Sequence, residues 1–243
     1  MIKSYAITAV AVTIFLNMAL QSAQSYEIPI DNPGFEEPVL IVEDGYAYSM
    51  DNEGWGYFEN DGYLGAWNIA ITNYISGMAP EGDNVGWVEP GSYVDDGGTT
   101  NLEDDVTVYI VGGFAQVLTN STLKAGMLYT LTVEVGNARG YDWPGYMVQI
   151  LAGGTPHTPG TGTNYTGPVS GGTLLAEDSN TVSIVEGTFE KVTLTYRYDP
   201  ADAALLGDPL QIRLLAIGFE EVDFDDLSLV ATPVSTGTLI ILD

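Results

Sequence analysis

Acidic side chains gather at two places where a metal ion would satisfy them. One is the segment IPIDNPGFEEP at 28–38, and the other is EEVDFDDLSLVA at 220–231. In the second, Val222 and Phe224 share one parity while Leu227 and Leu229 share the opposite one. The alternation therefore slips at Asp225-Asp226, which predicts a β-bulge, a device that re-aims side chains. Two adjacent carboxylates at a bulge call for positive charge, and the chain holds only 6 Lys and Arg against 33 Asp and Glu. Calcium, with its six to eight oxygen ligands, is the natural substitute. Glu36, Asp225 and Asp226 are the candidate ligands of a structural calcium; the alternative is a solvated acidic edge that discourages strand pairing. Asp95-Asp96 and Glu103-Asp104-Asp105 bracket a second acidic loop that lacks the EF-hand spacing and reads more simply as solvated.

A second chemistry is written in the aromatics. Trp55, Tyr57, Phe58, Tyr63 and Trp67 crowd GWGYFENDGYLGAW at 54–67, and Trp87, Tyr93, Tyr141 and Trp143 follow. Flat rings beside Asn and Asp suit sugars, whose CH-rich faces stack on π surfaces while amides and carboxylates bond the hydroxyls. Tyr63, Trp67, Tyr141 and Trp143 are the candidate carbohydrate contacts. Trp55 and Trp67 are open to the plainer reading of core residues, as large aromatics generally are. The lone His157, in the Gly/Pro/Thr-rich stretch 153–172, reads as incidental.

These residues must be held by strands. After residue 26 the recurring period is two. Met127, Tyr129, Leu131, Val133 and Val135 alternate with polar residues, as do Val192, Leu194, Tyr196 and Tyr198. The stretches 146–154, 210–218 and 106–118 behave alike, the last with an expected break at Gly112-Gly113. PADAALLGD at 200–208 is the one expected helical turn, and 153–172 is expected to be a long surface loop. Eight to ten strands at this spacing predict one all-β domain over 26–232, a single antiparallel β-sandwich or jelly roll.

Composition limits partners and compartment. A net charge of −27 excludes nucleic acid and anionic membrane surfaces as partners. The absence of cysteine excludes disulfides and thiolate sites. Residues 1–25 have the layout of a secretory signal peptide: Lys3, an uncharged apolar run over 5–20, and Ala23-Gln24-Ser25 before Tyr26. The short tail 233–243 is too brief in its apolar part to span a bilayer, so no membrane insertion of the mature chain is expected. The expected location is secreted, extracellular or at the cell surface.

NPGFEEP near the start and FDDLSL near the end resemble the terminal strands of galactose-binding-like jelly rolls, including carbohydrate-binding modules of the family 4/9/22 type. With Gly54-Trp55, Gly65-Ala66-Trp67-Asn68, PEGDNV (80–85), the GGxxQxL strand (112–118) and AGxxYTLTV (125–133), the chain is similar to secreted bacterial surface proteins of the PEP-CTERM kind, although it lacks their P-E-P tail. The resemblance implies a calcium held between Glu36 and Asp225, with Asp226 beside them. Glu221-Val222-Asp223-Phe224-Asp225 also resembles the E-x-D-x-E strand of laminarinase-like glycosidases, but Asp225 stands where their acid/base glutamate would be. Catalysis is therefore not expected. The expected function is a non-catalytic secreted β-sandwich that binds a polysaccharide or cell-surface glycan or joins an extracellular matrix. The alternatives are an adhesive surface protein without a sugar site and a glycoside hydrolase or lyase on the same fold.

Overall fold

A computed structural model describes residues 24–40, 45–48, 54–59, 63–69, 74–95, 97–98, 105–157 and 167–234. The leader expected over 1–25 and the tail expected over 233–243 lie almost wholly outside these residues. The strands are β1 (Tyr26–Ile28), β2 (Tyr46–Tyr48), β3 (Gly56–Phe58), β4 (Tyr63–Asn68), β5 (Asn84–Glu89), β6 (Ser92–Asp95), β7 (Val106–Tyr109), β8 (Val111–Thr122), β9 (Met127–Asn137), β10 (Tyr146–Ala152), β11 (Thr173–Ser179), β12 (Thr188–Arg197), β13 (Pro209–Ile217) and β14 (Val222–Pro233). One sheet runs β12-β9-β14-β5-β4-β2, with β1 also paired to β14; the other runs β11-β10-β13-β8-β3. β6 and β7 form a separate hairpin. All strand pairs are antiparallel, and the architecture is the expected all-β jelly-roll sandwich.

The inward parity of each sheet builds the main core. Tyr129, Leu131, Val133 and Val135 of β9 meet Val192 and Leu194 of β12, Phe224 and Leu229 of β14, and Val148, Ile150, Ile212 and Leu214 of the second sheet. The two ends of the described chain close on this core. β1 pairs with residues 229–231 of β14, the Leu227 N–H donates to Pro33 O at 3.1 Å, and Gln116 exchanges two hydrogen bonds with the backbone of Asp31 at 2.9 and 3.0 Å. Phe35, at φ 55°, drives its ring between Trp55 and Phe114 with centroids 5.4 and 4.8 Å away. Gly86 makes room for it, since a Cβ there would lie 2.6 Å from the Phe35 ring.

Three local expectations meet the structure differently. The slip at Asp225-Asp226 is a bulge: Asp225 pairs Glu134 and Ser228 pairs Thr132, with Asp226 at φ 47°. The break expected at Gly112-Gly113 falls instead at Ile110. Both glycines lie in continuous β8, where side chains would strike the backbone at Glu59 O and Leu214 O. The described ends of the 153–172 stretch are not a free surface loop. Thr155 and Ser170 bridge each other, Val169 is buried, and the segment covers the outer side of β13, where Gln211 and Arg213 are buried. The helical turn is a short 3-10 segment over Pro200–Leu205, capped by the Asp199 side chain.

Truncation of Phe35 to alanine opens a hole that the neighbouring Trp55 and Phe114 rings cannot fill. The expected loss is about 3–5 kcal/mol, read as a lower urea midpoint at unchanged slope.

Candidate active site

The outer face of the larger sheet is covered around β4, β5 and the start of β14. On β4 the parity of Leu64 and Ala66 faces the main core, so Tyr63, Gly65 and Trp67 face out. On β5, Val88 faces in, and Val85, Trp87 and Glu89 face out. On β14, Val222 and Phe224 face in, so Glu221, Asp223 and Asp225 are sent to the outer side. There Trp67, Ile69, Ile75, Val85, Trp87 and Ala138 form a second apolar cluster, with Ala79, Tyr141 and Phe189 packed against it. Register aligns these groups across the sheet: Asp223 opposite Trp87, Trp87 opposite Gly65, Glu89 opposite Tyr63, and Trp67 opposite Tyr46.

At one end of this cluster lies a pocket of about 460 Å³ lined by Tyr46, Tyr63, Trp87, Glu89, Tyr141 and Glu221. Its rings are tied to one another. Tyr46 stacks on Trp67 at 5.6 Å and meets Trp87 edge-on at 6.2 Å, while Tyr74 bridges Trp67 and Tyr141 at 6.1 and 5.9 Å. Tyr141 is delivered by a turn at Gly140 (φ 85°), whose N–H donates to Glu186 Oε1 at 3.0 Å.

Behind the rings sits Asp223, with no exposed surface. Trp67 Nε1 donates to its Oδ1 at 3.1 Å, and its Oδ2 has no hydrogen-bond donor. Glu221, 6% exposed, lies beside it and reaches the pocket wall. Burial raises the pKa of both acids; Glu221 is raised further by the charges of Asp223, Glu89 and Glu220. Two buried carboxyls in contact cannot both ionise, so the pair holds a proton near neutral pH. Burial and the nearby acids push the Tyr141 hydroxyl up to about 12, so it stays protonated. The arrangement is a protonated acid pair at the inner wall of an aromatic-lined pocket, which can protonate a bound molecule and stabilise the cation that results.

The comparisons with known proteins decide the family. The model of the HpiC1-like family, described as HpiC1 cyclase, matches residues 26–230. This chain belongs to the HpiC1-like cyclase family. Among solved structures, a Stig cyclase from Fischerella sp. TAU, in complex with (3Z)-3-(1-methyl-2-pyrrolidinylidene)-3H-indole, is 30% identical with a TM-score of 0.66, covering 87% of this chain and 100% of that one. A cyclase from Fischerella sp. TAU in complex with 4-(1H-indol-3-yl)butan-2-one is 30% identical with a TM-score of 0.64 over the same shares. The xylan-binding CBM22-1 domain from Paenibacillus barcinonensis Xyn10C is 11% identical with a TM-score of 0.42, covering 79% of this chain and 98% of that domain. Among the curated proteins none matches.

Membership in this cyclase family overturns the expectation of a non-catalytic protein, and with it the polysaccharide or glycan partner. The physical reason is burial. Rings expected to line an open sugar-binding face instead gather round a pocket backed by the buried Trp67 and Trp87 and by two buried acids. Nothing supports the likeness to PEP-CTERM surface proteins.

Of the residues singled out for a sugar, the structure brings Tyr63 and Tyr141 to the pocket and Trp67 to its supporting layer. Trp143 is elsewhere, packed on the main core against Tyr146 with centroids 6.3 Å apart. Of the proposed calcium ligands, Glu36 and Asp225 lie on one side of the bulge. The Asp226 carboxylate turns to Lys191 Nζ at 3.7 Å. Tyr46 and Glu89 are not among the residues the sequence singles out; Trp87 is noted there only as one of the aromatics, and Glu221 and Asp223 only within a glycosidase-like strand on which catalysis is not expected. One signal was available: NVGWVE carries apolar residues at both parities, so a strand built from it must be covered on both sides.

Replacing Trp67 by phenylalanine keeps a ring beside Tyr46 but removes the indole N–H that donates to Asp223 Oδ1. Chemical denaturation is expected to show a loss of about 1–3 kcal/mol, the cost of leaving a buried acceptor unpaired; no loss would show that the bond carries no weight.

Proposed function

We propose that this chain is a cyclase for an apolar, indole-type substrate, and that the Glu221–Asp223 pair supplies the proton that starts ring closure. The observation that carries this reading is the buried Asp223 carboxylate, held by Trp67 through one oxygen and coupled to the neighbouring Glu221, so that the two acids hold a proton between them. The indole ligands in the related cyclases support the substrate class, since a pocket walled by Tyr46, Tyr63, Trp87 and Tyr141 suits a flat ring system.

The chemistry balances as an isomerisation. Glu221 gives its proton to one carbon of a substrate double bond, whose π electrons form the new C–H bond. The neighbouring carbon becomes cationic and accepts the π electrons of a second double bond or of the indole, forming the ring C–C bond. A proton then leaves the product cation for the carboxylate pair, restoring it. The aromatic walls stabilise the cation.

Incubation with indoles bearing an alkenyl side chain is expected to yield a product of unchanged mass and new retention time, with deuterium incorporated in D2O. Glu221→Gln is expected to lower turnover by about 10²–10⁴, the usual worth of a positioned acid. Asp223→Asn is expected to lower turnover comparably while leaving the melting temperature unchanged or raised. Wild-type turnover in Glu221→Gln would remove the pair from the mechanism.

We also propose the calcium expected from the chain ends. Asp225 Oδ2 accepts from the Glu81 N–H at 2.8 Å, while its buried Oδ1 has no partner. Burial, with Glu81 and Glu36 adding to it, pushes Asp225 up to about 8, the mark of a carboxylate short of positive charge. Gly34 leaves the gap open: a Cβ there would lie 1.8 Å from Glu81 Oε2 and 3.5 Å from Asp225 Oδ1. Glu36 spends its Oε1 on the N–H groups of Asp83 and Asn84, at 3.0 and 2.8 Å. Among the described residues no three acidic side chains converge tightly enough to hold a metal alone, so backbone carbonyls would complete the shell. A bound calcium would lock the start of the domain to β14, and export to a calcium-rich exterior would keep it loaded. The melting temperature is expected to rise in calcium over chelator, by an amount equivalent to about 2.7 kcal/mol at a hundredfold excess over Kd, and Asp225→Asn is expected to abolish the rise.

A further inference from the structure

The outer face of the larger sheet is a grid of large side chains with a gap near its centre. Along β4 the outward positions are Tyr63, Gly65 and Trp67, and Gly65 is buried. Its backbone pairs with Tyr48 of β2 and with Trp87 of β5, in extended strand on both sides. Tyr63 and Trp67 flank it on its own strand, and Tyr46 stands opposite Trp67 on β2. Three of these neighbours, Tyr46, Tyr63 and Trp87, are walls of the pocket. The gap shows in how the rings meet. β2 and β5 are two strand spacings of about 4.8 Å apart. Yet the Tyr46 and Trp87 rings touch edge-on, with centroids 6.2 Å apart. They lean together over β4, where a glycine offers no side chain to hold them apart.

A glycine inside a strand commonly marks the close approach of another backbone or of a ligand. Elsewhere in these sheets the protein itself fills the space. Gly86 admits the Phe35 ring, Gly136 the Phe189 ring and Gly113 the Leu214 carbonyl, each with an atom 2.6 Å or less from where a Cβ would lie. At Gly65 the neighbours are the rings of the pocket.

We propose that Gly65 is the specificity-determining residue of this pocket, and that the flat ring of a neutral substrate lies over it, where a side chain is missing. This rests on the reading of the pocket as the cyclase site and adds to it where the ring sits and which shape is accepted. A planar ring over Gly65 has Trp87 on one side and Tyr46 on the other, in place of their edge-on contact, with Tyr63 along the strand. Tyr46 is placed to yield: it is 41% exposed and belongs to a three-residue strand at the edge of the sheet. The ring then rests beside Trp87, whose partner across the β5–β14 pairing is Asp223, and Glu221 lines the same pocket. The clearance gained by omitting one side chain suits a flat ring and refuses a puckered one of the same area.

The test is calorimetric titration of the full chain at neutral pH with two uncharged alcohols of similar size, the flat indole-3-ethanol and the puckered 2-(decalin-1-yl)ethanol. The wild-type chain is expected to bind the flat alcohol about tenfold or more tightly than the puckered one, the range that a small misfit in a pocket produces. Gly65→Ala is expected to fold with its melting temperature unchanged or raised, since alanine is favoured over glycine inside a strand. The same variant is expected to bind indole-3-ethanol about tenfold or more weakly than the wild type. A glycine needed only for folding would show the reverse, a lower melting temperature with affinity kept. Tyr46→Ala removes a partly exposed ring beside the gap and is expected to bring the two alcohols to within about twofold of each other. Wild-type affinity in Gly65→Ala, an unchanged preference for the flat alcohol in Tyr46→Ala, or equal binding of both alcohols by the wild type would overturn the proposal and leave the cyclase reading standing. Failure of both alcohols to bind the wild type would count against both.

Discussion

Keeping three acids of one strand out of water is the demand that shapes this molecule. Asp223 and Asp225 have no exposed surface and Glu221 has almost none. An ionised carboxylate moved from water to a protein interior costs several kcal/mol unless charge or hydrogen bonds compensate. Each acid is therefore answered by something built for it. Trp67 gives its indole N–H to Asp223, the Glu81 backbone gives its N–H to Asp225, and Glu221 and Asp223 are left to share a proton. The bulge at Asp225-Asp226 belongs to the same arrangement, since it lets β14 return Leu227 and Leu229 to the core after the acids have been turned outward.

A sandwich normally leaves the outer face of each sheet to solvent. Here both outer faces are partly covered. The larger sheet carries a second apolar cluster under the segment around Ile75 and Ala79 and the turn that bears Tyr141. The smaller sheet is covered by the described ends of the 153–172 stretch, with Arg213 stacked on the Phe58 ring at 3.7 Å and donating to Gly171 O. Covering the larger sheet turns a row of outward side chains into a chamber. Without that cover, Glu221 and Asp223 would be solvated acids of ordinary strength, and Trp67 and Trp87 would be surface rings. The same residue types would then suit a sugar. Desolvation moves the chemistry from hydrogen-bonding hydroxyls to holding a proton and facing a cation.

Much of the architecture could be read from the chain. Alternation along 127–135 and 189–198 gave the inward faces of β9 and β12 residue by residue. The parity change after Phe224 located the bulge, and the turn-rich, cysteine-free composition pointed to an all-β sandwich. The misreadings share a cause. Gly112-Gly113 was taken for a break because glycine interrupts strands, yet here it admits the Glu59 and Leu214 backbones. The strand holding Glu221 and Asp223 was set aside as catalytic because Asp225 stood where a glutamate was wanted. The pair proposed here ends two residues earlier, at Asp223, and is completed by Trp67, 156 positions away in sequence.

What the sequence determined by itself is what depends on neighbours along the chain: strand periodicity, the bulge, the excess of acid and the lack of cysteine. These follow from a period of two and from composition, and no tertiary contact can change them. Whether an outward residue meets water or protein depends on segments distant in sequence. Only the tertiary structure decided that Tyr63 and Tyr141 share one pocket, that Trp143 does not, and that Asp223 is buried against Trp67. Since a carboxyl keeps its proton at neutral pH only when water is excluded, the step from acidic strand to acid catalyst was taken by the fold.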